Sequence, residues 1–388
     1  MSLFQRIIHG NCIDELQKLP AESVELIFAD PPYWMRTAGV LHRTNGNPYD
    51  GCADSWDNQF TDYSEYCSFT REWLTACYRV LAPNGALWVI GSMQCIYTIG
   101  NSLLECGFWI INDVVWHKKN PTPNFYGTRL NNSHETLIWA VKSQKAKYTF
   151  HYKTAKELNT DTVDDAAYRQ GMRKQMGSVW RFPLCTGQER LKDDNGKKLH
   201  STQKPQSLLY RIIVLCSNLG DTVLDPFGGT MTTGAAAKQC GRSFIGIELS
   251  AAYCEAGRRR IAAVTEHIGA AERAEYDQRP PRVSLAALLK AGYLIPHEQL
   301  FLKNGAAAAV QEDGSIILPD GTKTDIHAGV SLLKAQGAKR TNGYLHWYVR
   351  RGEHHVLLDS LRQQFRQDTL DQDSCKNSGG CPKTSSGC

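Results

Sequence analysis

Four consecutive residues, Asp30-Pro31-Pro32-Tyr33, follow the apolar run VELIFA and have the residue types for a specific chemistry. Asp30 offers a carboxylate acceptor and Pro31 a carbonyl acceptor. The two prolines fix φ and lack N–H groups, so these acceptors are held rigidly. Tyr33 supplies a ring that can stack on a flat base. The four residues could therefore bind the exocyclic amino group of adenine or cytosine and prepare its nitrogen for methylation. The alternative is that Asp-Pro-Pro simply ends a strand.

A second motif, DTVLDPFGGTMTTGAAAKQCGRSFIGIE, occupies residues 221 to 248. A predicted strand ends at Asp225, Gly228 and Gly229 follow, a helix begins at the threonines, and the next strand ends at Glu248. This order suits a ligand that contains a nucleoside, because glycines allow close approach and the second acid can bind both ribose hydroxyls. An ordinary strand-loop-helix, in which glycine only makes the turn, is the alternative.

Cofactors that carry phosphate groups fit the sequence poorly. Neither a G-x-x-x-x-G-K-[ST] loop nor a G-x-G-x-x-G fingerprint occurs in it. S-adenosylmethionine has adenine, ribose and a methionine tail without phosphate, and it is therefore the candidate cofactor. Lys204, in HSTQKP, could pair with the methionine carboxylate, although a solvated surface lysine is the alternative.

Short apolar segments alternate with helical segments, which predicts a doubly wound α/β sheet of the Rossmann-like type with ligands at the carboxyl ends of its strands. The predicted strands are RIIHG, VELIFAD, ALWVIG, WIINDVVW, ETLIWAV, DTVLDPF and SFIGIEL. The predicted helices are SEYCSFTREWLTACYRVLAP, PQSLLYRIIVLCSNL and TTGAAAKQCG. Asp30, Asp225 and Glu248 each stand at the end of a predicted strand.

The composition sets few limits on function. The 388 residues carry a net charge of +5, too small to identify an anionic partner by itself. No apolar run approaches the roughly 18 residues of a membrane span, and the N-terminus lacks the apolar part of a signal peptide. The 13 cysteines form no C-x-x-C pair, so we expect reduced thiols and no metal site. These features indicate a soluble, cytoplasmic protein.

Changes in composition divide the chain into four predicted segments. They are a catalytic domain at 1–265, a linker at 266–281, an α+β module at 282–366 and a disordered tail at 367–388. The charges and paired prolines of AAERAEYDQRPPR indicate the linker, and Gly, Ser and Lys indicate the tail. Within the catalytic domain, residues 120–200 contain a polar, partly mobile excursion that we expect to face DNA.

Basic and aromatic side chains are interleaved between residues 326 and 352. Such a stretch can neutralise phosphates while its aromatic rings contact sugars or unstacked bases, although a solvated basic face is the alternative. The long loop at 34–58 follows the tyrosine directly, and we expect it to close over the target. The candidate DNA-binding residues are Arg43, Asn120, Asn124, Arg129, Lys334, Arg340, Trp347 and Arg350.

The order of the motifs, with DPPY ahead of the cofactor loop at 225–231, resembles the permuted β group of DNA amino-methyltransferases. HGNCIDELQKLP, FTREWL, WVIGS, NPTPNFYGTR, HETLIWA, PLCTG and TQKP resemble the cell-cycle-regulated adenine methyltransferases and their restriction-modification relatives, which modify GANTC. The resemblance runs from about residue 6 to about residue 366. It implies methylation of adenine N6 in DNA, with S-adenosylmethionine as cofactor, flipping of the target base, and a homodimer.

The resemblance also implies roles for individual residues. The amino-group receptor would be Asp30, Pro31, Pro32 and Tyr33. The cofactor residues would be Asn11 and Cys12 beside the adenine, Lys204 and Asp225 at the methionine moiety, Phe227 and Gly229 in the loop, and Glu248 at the ribose, together with Asp30, His200, Gln203 and Thr232.

Three residues depart from the family pattern. Met231 stands where the family usually has a second glycine, and a methionine there would narrow the methionine pocket. Trp34 replaces a small polar residue, and Ser201 replaces the proline of HPTQKP.

Two other functions are compatible with the motifs. Cytosine-N4 methyltransferases use the same chemistry, but more often have serine in place of Asp30, which favours adenine. A DNA-binding protein on a disabled methyltransferase fold is the second alternative, with Met231 as its main argument; it would bind no cofactor. An RNA or protein-glutamine methyltransferase is a different substrate class, but the protein-glutamine enzymes resemble NPPY rather than DPPY and would not need the basic C-terminal module.

Overall fold

The computed structural model describes residues 3–35, 41–42, 48–49, 56–57, 59–124, 126–160, 173–193, 195–278, 280–333 and 341–377. The chain divides into two compact units, Met1–Gln278 and Arg279–Cys388. The division falls inside the segment predicted as a linker.

A mixed sheet forms the centre of the first unit. Its strands are β1 (Gln5–His9), β2 (Val24–Ala29), β3 (Leu81–Gly91), β4 (Trp109–Lys118), β5 (His134–Val141), β6 (Val179–Phe182), β7 (Thr222–Asp225) and β8 (Ser243–Glu248). They lie in the order β1-β8-β7-β2-β3-β5-β4-β6. All pairs are parallel except those that β5 makes with β3 and β4. The reversed β5 was not predicted.

Helices cover both faces of this sheet, which confirms the doubly wound α/β prediction. They are α1 (Cys12–Lys18), α2 (Tyr63–Val80), α3 (Ile96–Glu105), α4 (Tyr152–Glu157), α5 (Gln206–Cys216), α6 (Thr232–Gln239) and α7 (Ala251–Ala263). The alternation of side chains along β2 shows the two faces. Ile27 belongs to the core beneath α1 to α3, whereas Leu26 and Phe28 belong to the core beneath α5 to α7.

Three segments contain more ordered structure than the sequence indicated. β6 lies inside the polar excursion but joins the sheet beside β4, because Trp180 is buried and stacks on Trp88. The start of the predicted linker packs on the first unit, where buried Glu272 accepts a hydrogen bond from Tyr210. Residues 367–377 continue the last helix of the chain rather than forming a disordered tail.

Much of the loop predicted to close over the target lies outside the described residues. Within it, Leu41–His42 pair with Pro48–Tyr49 in an antiparallel ladder. Residues 161–172 of the excursion and the end of the chain after Asn377 are also outside. Among the helices that the structure describes, none is long and apolar enough to cross a membrane.

The second unit is an α+β module. It contains β9 (Gln299–Phe301), β10 (Ala307–Val310), β11 (Ile316–Ile317), β12 (Lys323–Thr324), β13 (Tyr348–Arg351), β14 (His354–Leu357), α8 (Leu285–Lys290), α9 (Ile326–Leu333) and α10 (Leu358–Asn377). The strands form one antiparallel sheet in the order β12-β11-β10-β9-β13-β14. Leu300, Val349 and Trp347 are fully buried in its core.

Candidate active site

One cavity opens at the carboxyl ends of β8, β7 and β2, where the structure brings the predicted site residues together. It is lined by all the residues that were assigned to the amino group or the cofactor, namely Asn11, Cys12, Asp30, Pro31, Pro32, Tyr33, His200, Gln203, Lys204, Asp225, Phe227, Gly229, Thr232 and Glu248. Parallel strands end at the same edge of a sheet, so the acids at the carboxyl ends of β2, β7 and β8 converge although they are far apart in sequence.

The carboxylate of Asp30 forms an ion pair with Lys204, whose Nζ lies 2.7 Å from Oδ2. Burial raises the pKa of Asp30 even though Lys204 acts in the opposite direction. Burial would lower the pKa of Lys204, but Asp30 and Glu135 outweigh it and raise that pKa. Lys204 is 6% exposed and is thus not a solvated surface lysine. It holds the acid of the DPPY motif in place.

Tyr33 is held at its hydroxyl and at its backbone. The hydroxyl donates to Oε2 of Glu135 at 2.9 Å, and the backbone N–H donates to Oδ1 of Asp57 at 2.6 Å. Burial raises the pKa of Tyr33 well above its usual value, so the hydroxyl stays protonated and donates. The carbonyl of Pro32 accepts from the Tyr66 hydroxyl at 3.0 Å. The stretch behind Asp30 is therefore fixed at several points.

The two acids of the predicted cofactor motif lie on neighbouring strands. Asp225 accepts hydrogen bonds from the Phe227 backbone N–H at 3.0 Å and from Thr233 Oγ1 at 2.5 Å. Burial raises the pKa of Asp225 to about 7. Glu248 accepts from the Gly229 backbone N–H at 2.8 Å, and burial raises its pKa as well. These carboxylates suit an ammonium group and ribose hydroxyls respectively.

Several other predicted cofactor residues have local structural partners. The Asn11 side chain accepts from Ile13 N and caps α1, and burial raises the pKa of Cys12 to about 12, so it stays a thiol. The Gln203 side chain donates to the Glu189 carbonyl and accepts from the Leu191 backbone N–H, and these bonds anchor the segment that precedes Gln203. Thr232 accepts from Arg260 at 2.7 Å. A Cβ added to Gly229, whose φ is 51°, would lie 3.1 Å from the His200 ring.

Met231 does not narrow the cavity as the sequence suggested. Its side chain is fully buried, with φ of 59°, and belongs to the core beneath α5 to α7. Cβ atoms added to Gly228, Gly246 or Gly257 would overlap this side chain. Because these three glycines have no side chains, they leave the space that the Met231 side chain fills. The Met231 backbone keeps the left-handed conformation that favours glycine.

Several residues of the site were not predicted from the sequence. Trp56, Asp57 and Tyr253 line the cavity, and the His200 ring lies near the rings of Trp56 and Tyr253. Glu135 and Lys118 lie behind Tyr33 and form an ion pair of 2.8 Å. The acid in HETLIWA stands at the start of a strand rather than its end, and only the reversed direction of β5 brings it to this edge.

The predicted DNA-binding residues have different environments. Arg129 and Arg350 are exposed; Asn120 accepts from Leu184 N and Asn124 from Tyr126 N. Trp347 was wrongly assigned: it is 0% exposed, and its Nε1 donates to the Ile326 carbonyl at 2.8 Å. Tyr344 is buried too, so these rings form the module's core. Arg43, Lys334 and Arg340 lie outside the described residues.

No group of three metal-binding side chains comes together in the described ranges. The cavity instead combines aromatic rings with four carboxylates, one of them paired with a lysine. Aromatic and apolar walls with a few polar groups are typical of sites for small molecules.

Comparisons with known proteins identify the family. A family model described as DNA methylase matches residues 24–259, and one described as Restriction Enzyme Adenine Methylase Associated matches residues 265–370. Type II methyltransferase M.HinfI of Haemophilus influenzae is 44% identical over 362 residues, covering 92% of this chain and 96% of the relative. M2.DpnII of Streptococcus pneumoniae is 37% identical over 261 residues, covering 67% of this chain and 90% of that relative.

Among solved structures, an M1.HpyAVI-SAM complex is 26% identical, covers 66% of this chain and 99% of that chain, and has a TM-score of 0.47. The family model and the curated relatives define the class, that of the Type II DNA methyltransferases. The chain belongs to the DNA methylase family.

Proposed function

We propose that this protein transfers the methyl group of S-adenosylmethionine to N6 of adenine in DNA, within GANTC. The observation that carries the proposal is the shared cavity. Asp30, paired with Lys204, lines it together with Asp225 and Glu248. Asp30 and the Pro31 carbonyl would be the acceptors for an amino group, and Asp225 and Glu248 the carboxylates for an amino acid tail and a ribose.

Each of these residues has a defined task in the proposed reaction. The cofactor would supply the methyl group on a sulfonium. Asp30 and the Pro31 carbonyl accept the N–H bonds of the amino group and orient its lone pair, and Tyr33 stacks on the base. Asp225 attracts the ammonium of the methionine moiety, and Glu248 accepts from the ribose hydroxyls. Lys204 keeps Asp30 oriented.

Adenine as the target base and GANTC as the recognition sequence are supported by different observations. The name of the family that matches residues 265–370 refers to adenine methylases. The short motifs quoted above, such as HETLIWA and TQKP, resemble enzymes that modify GANTC. M.HinfI supports the class of Type II methyltransferase.

The substrate also requires a DNA-binding surface. The target base must leave the duplex to reach a half-buried carboxylate such as Asp30. The exposed Arg350 of the second unit and Arg129 of the first are the described basic candidates for phosphate contacts. We further infer a homodimer that acts at the nucleoid; light scattering at several concentrations would test the assembly.

A labelling experiment tests the function. The protein is incubated with S-adenosylmethionine labelled in its methyl group and with DNA that contains or lacks GANTC, and in parallel with RNA and protein. Digestion of the DNA should yield N6-methyladenine only where GANTC is present. N4-methylcytosine would favour the cytosine alternative, and label only in RNA or protein would contradict the proposal. Asp30→Ala should abolish transfer while the protein still folds.

A further inference from the structure

Glu135 reaches the candidate active site from a strand that runs against its neighbours. It is the second residue of β5, and its register partner is Trp116 of β4. Because β5 is antiparallel to β3 and β4, its first residues lie at the edge where those strands end. The Glu135 side chain is 11% exposed. A carboxylate buried to this degree requires charged or hydrogen-bonding partners.

Three groups surround this carboxylate. Its Oε1 lies 2.8 Å from Nζ of Lys118, the last residue of β4, and Oε2 accepts from the Tyr33 hydroxyl at 2.9 Å. Oε2 also lies 3.9 Å from Nζ of Lys204, which is bonded to Asp30. Burial would raise the pKa of Glu135, but the two lysines outweigh it and lower that pKa. The acid is therefore ionised.

The four charged groups form a balanced set of two carboxylates and two ammonium groups. Lys204 lies between both acids, whereas Lys118 pairs with Glu135. If Glu135 were neutral, Lys118 would be a largely buried cation without its counter-ion, and Lys204 would keep only one of its two carboxylate neighbours, Asp30. The position and charge of the groups that receive the amino group thus depend on Glu135.

We propose that Glu135 is a positioning residue for methyl transfer and that Lys118 is its counter-ion. This inference rests on the proposed function. Glu135 fixes the hydroxyl end of Tyr33, whose backbone is fixed by Asp57, so that the ring is clamped at both ends before the base arrives. It also attracts the Lys204 ammonium, which weakens the pairing of that ammonium with Asp30 and leaves the Asp30 carboxylate a better acceptor for the amino group.

Glu135→Gln retains the shape of the side chain and removes its charge. We expect kcat for DNA methylation to fall on the order of 10- to 100-fold, since small displacements of positioned groups have effects of this size. The double variant Glu135→Gln/Lys118→Met removes the ion pair as a unit. It should melt closer to the wild type than the single variant, because no cation is left unpaired, yet kcat should stay low.

A purely structural role predicts a different pattern. If Glu135 only stabilised the fold, kcat of the double variant would return to the wild-type value along with its melting temperature. Tyr33→Phe provides a second readout. Because Glu135 acts partly through the Tyr33 hydroxyl, Glu135→Gln should lower kcat less in the Tyr33→Phe background than in the wild type. Fully multiplicative effects of the two changes would overturn the proposal.

A matched control lies at the opposite edge of the sheet. Glu22 precedes β2, Lys142 follows β5, and their side chains pair at 3.2 Å. Glu22→Gln/Lys142→Met should leave kcat unchanged. Wild-type protein that methylates no DNA would overturn the proposed function and this inference with it, whereas wild-type turnover with unaffected Glu135 variants would overturn this inference alone.

Discussion

The carboxylate of Asp57 accepts a hydrogen bond from the backbone N–H of Tyr33, with 2.6 Å between Oδ1 and N. It also accepts from the N–H groups of Trp34 and Met35, each at 2.8 Å. Trp34 adopts a φ of 50°, a left-handed conformation that costs a residue with a Cβ about 1–2 kcal/mol. The hydrogen bonds to Asp57 offset that cost and fix the backbone directly behind the proline pair.

Asp57→Asn should weaken these hydrogen bonds while leaving the size of the side chain almost unchanged. The asparagine has one acceptor oxygen, and its amide group would face an N–H donor that Asp57 now satisfies. An unsatisfied buried donor costs about 1–3 kcal/mol. We expect the free energy of unfolding to fall by about that amount and turnover to fall about tenfold or more as Tyr33 loses its orientation. Denaturant unfolding and methylation rates measure the two effects.

Asp62→Asn is the matched control for that variant. Asp62 caps α2 by accepting from Glu65 N at 2.9 Å, and asparagine caps helices about as well as aspartate. Its turnover should equal that of the wild type. Wild-type turnover in Asp57→Asn itself would show that the three hydrogen bonds do not support Tyr33.

Met231→Gly compares two opposing effects, the relief of strain in the left-handed backbone and the loss of packing by the buried side chain. Glycine would relieve the left-handed conformation, a gain of about 1–2 kcal/mol, but would leave a cavity where a buried methionine side chain costs about 2–5 kcal/mol to remove. We expect a net loss of about 1–3 kcal/mol in unfolding free energy and an unchanged Kd for S-adenosylmethionine. A tighter Kd would contradict the finding that the side chain lies outside the cavity lining.

The glycines around Met231 provide the reciprocal change. A Cβ at Gly257 would overlap the Met231 side chain, so Gly257→Ala should destabilise the protein. Met231→Ala/Gly257→Ala should be more stable than the two single changes predict together, because the shorter side chain makes room for the new methyl group. Additive effects in thermal unfolding would show that the two side chains do not compete for space.

The sequence predicted most strands of the first unit and the acids at their carboxyl ends, because Asp30 directly follows the apolar run of β2, and β7 and β8 end at Asp225 and Glu248. The position of Glu135 at the site could not be predicted, since the direction of β5 depends on its pairing with other strands of the sheet. The role of Met231 was equally hidden, because Gly228, Gly246 and Gly257 meet only in the folded core. The assignment of Trp347 to the DNA surface was wrong for another reason: an interleaved basic and aromatic sequence does not show whether a ring faces solvent or the core of its unit.

Cofactor binding should depend on the ionisation of Asp225. Burial raises the pKa of this acid to about 7, so it is protonated in a large fraction of molecules at lower pH. A neutral acid attracts an ammonium group less than a carboxylate does. Affinity for S-adenosylmethionine should therefore rise about tenfold from pH 5.5 to pH 7. Isothermal titration across this range measures it.

Asp225→Asn is the control for that dependence. An amide has no charge to lose, so cofactor affinity should be weak and nearly independent of pH between 5.5 and 7. The same pH dependence in Asp225→Asn and the wild type would assign the titration to another group, such as Glu248, whose pKa is also raised by burial.

Arg350 and Trp347 lie close together in the chain but should respond to substitution in opposite ways. Arg350 is exposed and its side chain donates to the Gly352 carbonyl, whereas Trp347 is buried in the core of the second unit. Arg350→Ala should leave the melting temperature unchanged, weaken DNA binding, and reduce the slope of log affinity against log salt by about one if it contacts a phosphate. Trp347→Ala should destabilise the second unit by about 3–5 kcal/mol. Calorimetry and DNA titrations at several salt concentrations distinguish the two, and an unchanged salt slope for Arg350→Ala would remove this residue from the DNA surface.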